Sequence, residues 1–222
     1  MVARMTATDS LRSVSSREPA SAASAVRRRE NTRARLIEAA EDVFTTTGLK
    51  RVTVDDLVGA AGFTRGAFYS NFSSIEEVFF ALFEQQSERM LEVVREVIDS
   101  IPEEEFSLDS VGLILESLNP IARRWYVIQT EFTLLALRNE EARRVFQEHR
   151  QQFESQMVGV IGDVMRLLGR VPSIPLKQLT ETAIALYLHS LGQDGLGIGT
   201  LNTDELVNIV LPQLILGLSQ PR

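Results

Sequence analysis

Cysteine is absent from the 222 residues, which excludes disulfides, thiolate metal sites and cysteine nucleophiles. Long apolar runs are absent too. None reaches the length of about 18 residues that a membrane-spanning helix needs, and the most apolar stretch, Leu206 to Leu218, is broken by Asn208, Pro212 and Gln213. The first residues lack the continuous apolar core of a secretory signal, so a cytoplasmic protein is expected. The two histidines, His149 and His189, are far apart and have no ligand-spaced carboxylates, so neither a metal site nor a cofactor is expected. Ser190 directly follows His189, but neighbours on a helix point apart and no nucleophile elbow surrounds them. The stretch G-Q-D-G-L-G-I-G from Gly192 to Gly199 has neither a Lys-Ser/Thr ending nor a preceding strand, and reads as a flexible loop. Nothing here equips an enzyme.

What is present is the composition of an ordinary soluble globular protein, 44% apolar and 24% charged. The net charge of −7 is unevenly divided. Residues 1–72 hold eleven basic and eight acidic side chains, whereas residues 73–222 hold twelve basic and twenty-two acidic. Positive charge is concentrated at one end, where a polyanion would be met.

No alternating strand pattern and no internal repeat occur, and the helical period recurs along the chain, so the fold is expected to be all-α with about nine helices. Residues 1–28, rich in Ser, Ala and Arg, read as a disordered basic arm ending in Arg27, Arg28 and Arg29. Such an arm either reaches phosphates or a minor groove, or merely solubilises. Helix 1 is expected from Asn31 to Thr47, and a long helix of about 24 residues from Ile75, linking residues 29–73 to a body of 74–222. In that body the apolar periods run over Leu108–Leu118, Pro120–Arg138, Glu140–Leu168, Leu176–Leu191 and Thr203–Leu218, with a kink expected at Pro212.

The most informative stretch is Thr53 to Phe72. Val54, Leu57, Val58 and Ala61 form a one-sided apolar face, with Thr53 as N-cap and Asp55 and Asp56 in the first turn. Gly62 permits a sharp turn, and Thr64 caps a second short helix anchored by Phe68 and Phe72. This is the layout of a helix-turn-helix, whose second helix enters the major groove of DNA.

These residues, with the Ala-rich helix 1 ending at Phe44 and Gly48, the V-T-V-D-D-L segment, A-G-F-T-R-G-A-F-Y-S-N-F and the following E-E-V-F-F-A, resemble the tetracycline-repressor (TetR/AcrR) family of bacterial transcription regulators. The resemblance covers about residues 31–83. It implies a homodimer on a palindromic DNA operator, with a separate domain that binds a small-molecule effector. Carried onto this sequence, it places Thr64 and Arg65 against phosphate or base edges and Gly66 where backbone approaches DNA. Tyr69 falls where a ring meets phosphate and a thymine methyl, Ser70 and Asn71 face phosphate, and Thr53 caps helix 2 against the DNA backbone. Arg65 suits either bidentate reading of guanine or a phosphate contact. One departure is Ile75, where the family usually has a lysine that meets phosphate.

An all-α body of this size has room for an effector between helices, largely apolar if aromatics line it. The expected lining is Trp125, Tyr126, Gln129, Phe132, Phe146, His149, Phe153 and Tyr187, with Met157 and His189, although the same spacing also describes ordinary core. The dimer interface is expected on the last helices, at Ala183, Tyr187, Leu191, Val207, Val210, Leu211 and Leu214, because their apolar surface exceeds what one thin layer needs. A ligand-released repressor is the reading these features favour; an activator, or an architectural DNA-binding protein without an effector, is the alternative.

Overall fold

A computed structural model describes residues 18–200 and 202–222, with side chains from residue 26 onward. The chain runs through α1 (Glu18–Thr47), α2 (Val54–Ala61), α3 (Arg65–Tyr69), α4 (Ile75–Ser100), α5 (Leu108–Ala136), α6 (Glu140–Leu167), α7 (Leu176–Leu196), α8 (Thr203–Glu205) and α9 (Leu211–Gly217). The fold is all-α, with an N-terminal helix-turn-helix unit and a larger helical body.

Helix α1 starts well before the expected Asn31, so the end of the basic arm, from Glu18 to Arg28, is helical. Pro19 is tolerated in a first turn, and Ala20, Ala22, Ala23 and Ala25 favour helix without any apolar period. Residues 1–17 of the arm lie outside the described residues. The loop expected from Gly192 begins only at Gly197, a left-handed C-cap at φ 63°. Gly192 sits inside α7, where a Cβ would fall 2.5 Å from the Tyr126 hydroxyl oxygen.

Leu108–Leu118 and Pro120–Arg138, expected as separate helices, are the single helix α5 with Pro120 inside it. Pro120 and Glu116 are both exposed, so the Glu116 carbonyl that loses its amide partner faces solvent. The irregularity expected at Pro212 takes the form of a π-helical turn over Leu206–Val210, just before it. A short antiparallel ribbon, unannounced by any pattern, pairs β1 (Arg170–Pro172) with β2 (Ser219–Pro221). Three residues per strand are too few to show alternation, and the ribbon is pinned by the Arg170 guanidinium, 2.6 Å from Ser219 Oγ and 2.9 Å from the Ser219 carbonyl.

Helix α4 joins the two units. Its buried Val78, Phe79, Leu82 and Phe83 lie in one continuous core with Leu36, Ala40 and Phe44 of α1 and Trp125, Ile128 and Phe132 of α5. Phe79 meets Phe44 edge-on at 5.2 Å and Phe132 at 5.6 Å. The helix-turn-helix unit and the body are thus welded by aromatic packing.

Candidate nucleic-acid interface and internal cavity

The helix-turn-helix is built from local bonds. Thr53 Oγ1 accepts from the Asp56 amide at 3.2 Å, and the Asp56 carboxylate accepts from the Thr53 amide at 2.8 Å and its hydroxyl at 2.6 Å. Those bonds, the hydroxyl's first, hold the Asp56 carboxyl below the usual carboxylate range. Gly62 closes α2 at φ 70° and ψ 34°, a left-handed conformation costly for a residue with a Cβ. Thr64 caps α3 through the Ala67 amide, while Phe68 and Phe72 are buried beneath it.

The outer side of α3 is open. Thr64, Arg65, Gly66, Tyr69 and Ser70 are all exposed, Tyr69 by 56% despite its ring. Ser70 Oγ donates to the Gly66 carbonyl at 2.7 Å and Asn71 Nδ2 to the Ala67 carbonyl at 2.8 Å, so both help end the helix. Ile75, in the place of the usual lysine, is half-buried against the core. Arg65 is already engaged: its Nη1 lies 2.8 and 3.0 Å from the two Asp55 oxygens. Asp55, then Tyr69, holds that guanidinium still more firmly protonated.

Of the basic arm, Arg27, Arg28 and Arg29 project as exposed residues from the first half of α1. Arg33 and Arg35, further along, are structural clamps. The guanidinium of Arg33 sits 4.6 Å from the Phe72 ring centre and that of Arg35 4.8 Å from Phe63, holding the turn and α3 against α1.

The body contains an internal cavity of about 140 Å³ between α4, α5, α6, α7 and α9. Trp125, Phe153, Met157 and Tyr187 line it as expected, together with aliphatic residues such as Val94, Leu115 and Ile161 that periodicity did not single out. Its accessible wall is wholly apolar. A second chamber of about 200 Å³ adjoins it through the shared Trp125, Phe153, Ile184 and Leu188, and adds Gln129, Phe146, Arg150, Glu154 and Glu181.

The remaining expected lining residues fall elsewhere. Phe132 is fully buried in the aromatic core, 4.8 Å from both Phe80 and Phe146. Tyr126 lays its phenol over Gly192. His149 borders a separate small recess beside Phe83, and exposed His189 is 3.2 Å from Gln193. Tyr187 buries its hydroxyl without a hydrogen-bond partner, and that burial, with Asp194 nearby, raises its pKa above the usual tyrosine range.

The expected dimer residues are corrected in part. Tyr187, Leu191, Val207 and Leu211 are buried within one protomer, because α5 and the cavity absorb the apolar surface that seemed in excess. Ala183 and Leu214 are half-buried cavity residues, and Val210 packs against the same core. Among the described residues, the large apolar side chains that α7, α9 and the segments between them leave on the surface are Leu196, Ile198, Ile209 and Leu216.

Among the described residues no group of three or more His, Asp or Glu is placed to hold a metal, and no helix is long and apolar enough to cross a membrane. A capped helix-turn-helix with a polar outer face is thus fused by one long helix to a hollow helical body, the layout of helical regulators with an N-terminal helix-turn-helix. Residues 36–82 match the model of the bacterial regulatory proteins of the tetR family. Over that stretch the chain resembles members of that family.

It is 30% identical over 129 residues to the uncharacterised HTH-type transcriptional regulator YfiR of Bacillus subtilis, covering 56% of this chain and 61% of that protein. It is 42% identical over 59 residues to the HTH-type transcriptional regulator TtgR of Pseudomonas putida, covering 27% of this chain and 28% of that one. The chain thus matches less than two thirds of the length of these curated relatives. Solved structures share the fold over far more of the chain. A transcriptional regulator from Rhodococcus sp. superposes with a TM-score of 0.64 at 18% identity over 84% of this chain and 95% of its own. GusR of Salmonella enterica does so with a TM-score of 0.62 at 16% identity, over 84% and 93%.

Proposed function

We propose that this protein is a ligand-responsive transcription regulator, acting as a repressor. It binds a palindromic double-stranded DNA operator as a homodimer and releases it when a small, largely apolar molecule occupies the cavity. The observation that carries the DNA-binding part is the outer face of α3, where Thr64, Arg65, Gly66, Tyr69 and Ser70 stand exposed over a buried Phe68–Phe72 anchor. A side so polar on a helix so well anchored from behind is a reading head, and the basic arginines of α1 supply sequence-independent attraction. Residues 29–73 form the reading unit and 74–222 the sensing and dimerising body. Such a protein works in the cytoplasm.

Two recognition helices must lie about 34–36 Å apart to enter successive major grooves. Exposed Ile209 and Leu216 on the last helices support a second copy packing there. A filled cavity displaces helices α4 and α5, which carry bonds to α1, and so changes that spacing. Operator and effector then weaken each other by the same coupling free energy. An architectural DNA-binding protein would have no need of a hollow body, and the cavity argues against that reading.

The test is footprinting on the DNA upstream of the chain's own gene at two salt concentrations. Protection of a palindrome, falling steeply with salt, supports operator binding. Genome-wide binding that Arg65→Ala leaves unchanged would overturn the helix-turn-helix as the reading head.

A further inference from the structure

The effector-control reading leaves open what fits, and the cavity wall narrows the answer. We infer that the inner chamber selects an uncharged, compact apolar molecule of about six to eight non-hydrogen atoms, one ring in size, and that Trp125 is the residue that senses it. This deepens the effector reading proposed above and rests on it.

Size comes first. An apolar cavity of about 150 Å³ stays dry and admits benzene or xenon, and this chamber measures about 140 Å³. Charge comes next. No Arg, Lys, Asp, Glu or His lines the inner chamber, and the indole N–H of Trp125 is already committed to Ser87 Oγ at 3.1 Å. A carboxylate or ammonium placed there would lose its hydration and meet no counter-charge. The other polar group on a lining side chain is the Tyr187 hydroxyl, which is buried and adds no polar area to the wall.

The outer chamber differs. Arg150 and Glu181 are exposed at it, and Glu154 pairs with Lys177 at 3.1 Å. It opens to solvent and is the approach. Trp125 and Phe153, with ring centres 5.5 Å apart, stand as the partition between an ionic antechamber and an apolar interior. A charged molecule can be held in the first and is refused by the second.

Trp125 is the only tryptophan of the chain, so its fluorescence reports occupancy of the two chambers it borders, and competition against toluene isolates the inner one. The probes are toluene, benzoate and benzylammonium at neutral pH, matched in ring size and differing in charge. With the full chain, toluene is expected to change Trp125 emission saturably and to raise Tm, and the two ions to displace it only at about a hundredfold or more higher concentration. Phe153→Ala joins the chambers and is expected to improve naphthalene binding at least about tenfold, the larger ring system then fitting. Benzoate or benzylammonium displacing toluene at concentrations as low as toluene's own Kd overturns the inference, as does a toluene titration that moves neither emission nor Tm. The two readings fail separately. Toluene that binds without loosening operator DNA removes effector control but leaves the site's selectivity standing. Operator release by benzoate, with toluene silent, does the reverse.

Discussion

Trp125 donates its indole N–H to Ser87 at 3.1 Å, and the neighbours of both residues reach helix α1. Arg124 lies 2.8 Å from Asp42 and 3.4 Å from Glu41, and Gln86, itself buried, donates to Glu41 at 2.9 Å. Trp125 of the cavity wall is therefore one residue removed from Arg124 on α5, and its hydrogen-bond partner Ser87 one residue removed from Gln86 on α4.

Breaking that connection should separate sensing from release. Arg124→Ala is expected to leave the Trp125 fluorescence response to toluene intact while cutting the ligand's effect on operator affinity by at least about fivefold, within the usual range of such couplings. Anisotropy of labelled operator, with and without ligand, measures it. Full release by the variant would show that Arg124 carries no coupling.

At the DNA face, Arg65→Ala should weaken operator binding about ten- to a hundredfold, as loss of a base or phosphate contact does. Asp55→Asn should act oppositely on non-operator DNA. It frees the guanidinium that Asp55 holds at 2.8 Å and removes a negative charge beside the phosphates, so binding strengthens and the salt dependence steepens by about one unit. Titrations at several salt concentrations give both quantities.

Thr53→Ala removes the hydroxyl half of the α2 capping box and is expected to cost about 1 kcal/mol in urea unfolding, with Thr53→Ser restoring most of it. The Asp56 carboxyl, lowered by those same Thr53 bonds, stabilises the fold above its unfolded pKa of about 4. That contribution is lost as pH falls through its lower folded value. The wild-type advantage over Thr53→Ala should therefore shrink below about pH 4. An advantage that stays constant in acid would rule out the carboxylate as its partner.

Tyr187→Phe deletes a buried hydroxyl that has no partner and should be neutral or stabilising by about 1 kcal/mol at pH 7. Burial raises the folded pKa, so above about pH 10 the unfolded chain ionises and the folded chain does not. Wild-type stability should then fall relative to the variant by about 1.4 kcal/mol per pH unit. Parallel stability curves through that range would show the hydroxyl to be solvated after all.

How much of this was legible beforehand follows the range of the interactions. The capped pair α2 and α3 was readable because Thr53, Gly62 and Thr64 act on neighbours within four residues. The Arg65–Asp55 pair was not, since Asp55 looked sufficiently explained as an acid in a helix's first turn. Trp125, Phe153 and Tyr187 could be nominated as cavity residues, but Val94 and Ile161 could not, because an aliphatic side chain has the same spacing whether it fills a core or borders a void. Tyr187, Leu191, Val207 and Leu211 were assigned to a dimer seam for a related reason. Counting apolar residues on a helix shows how much must be covered, and not whether α5 of the same protomer covers it.

The ribbon of Arg170–Pro172 with Ser219–Pro221 bears on how the hollow body can respond. It fastens the end of α9 to the junction after α6, and α9 contributes Leu211, Leu214 and Ile215 to the cavity. That side of the chamber behaves as an anvil. A guest pressing outward from within would meet a wall clamped at its far end and spend its thrust on the opposite side, where α4 and α5 bond to α1.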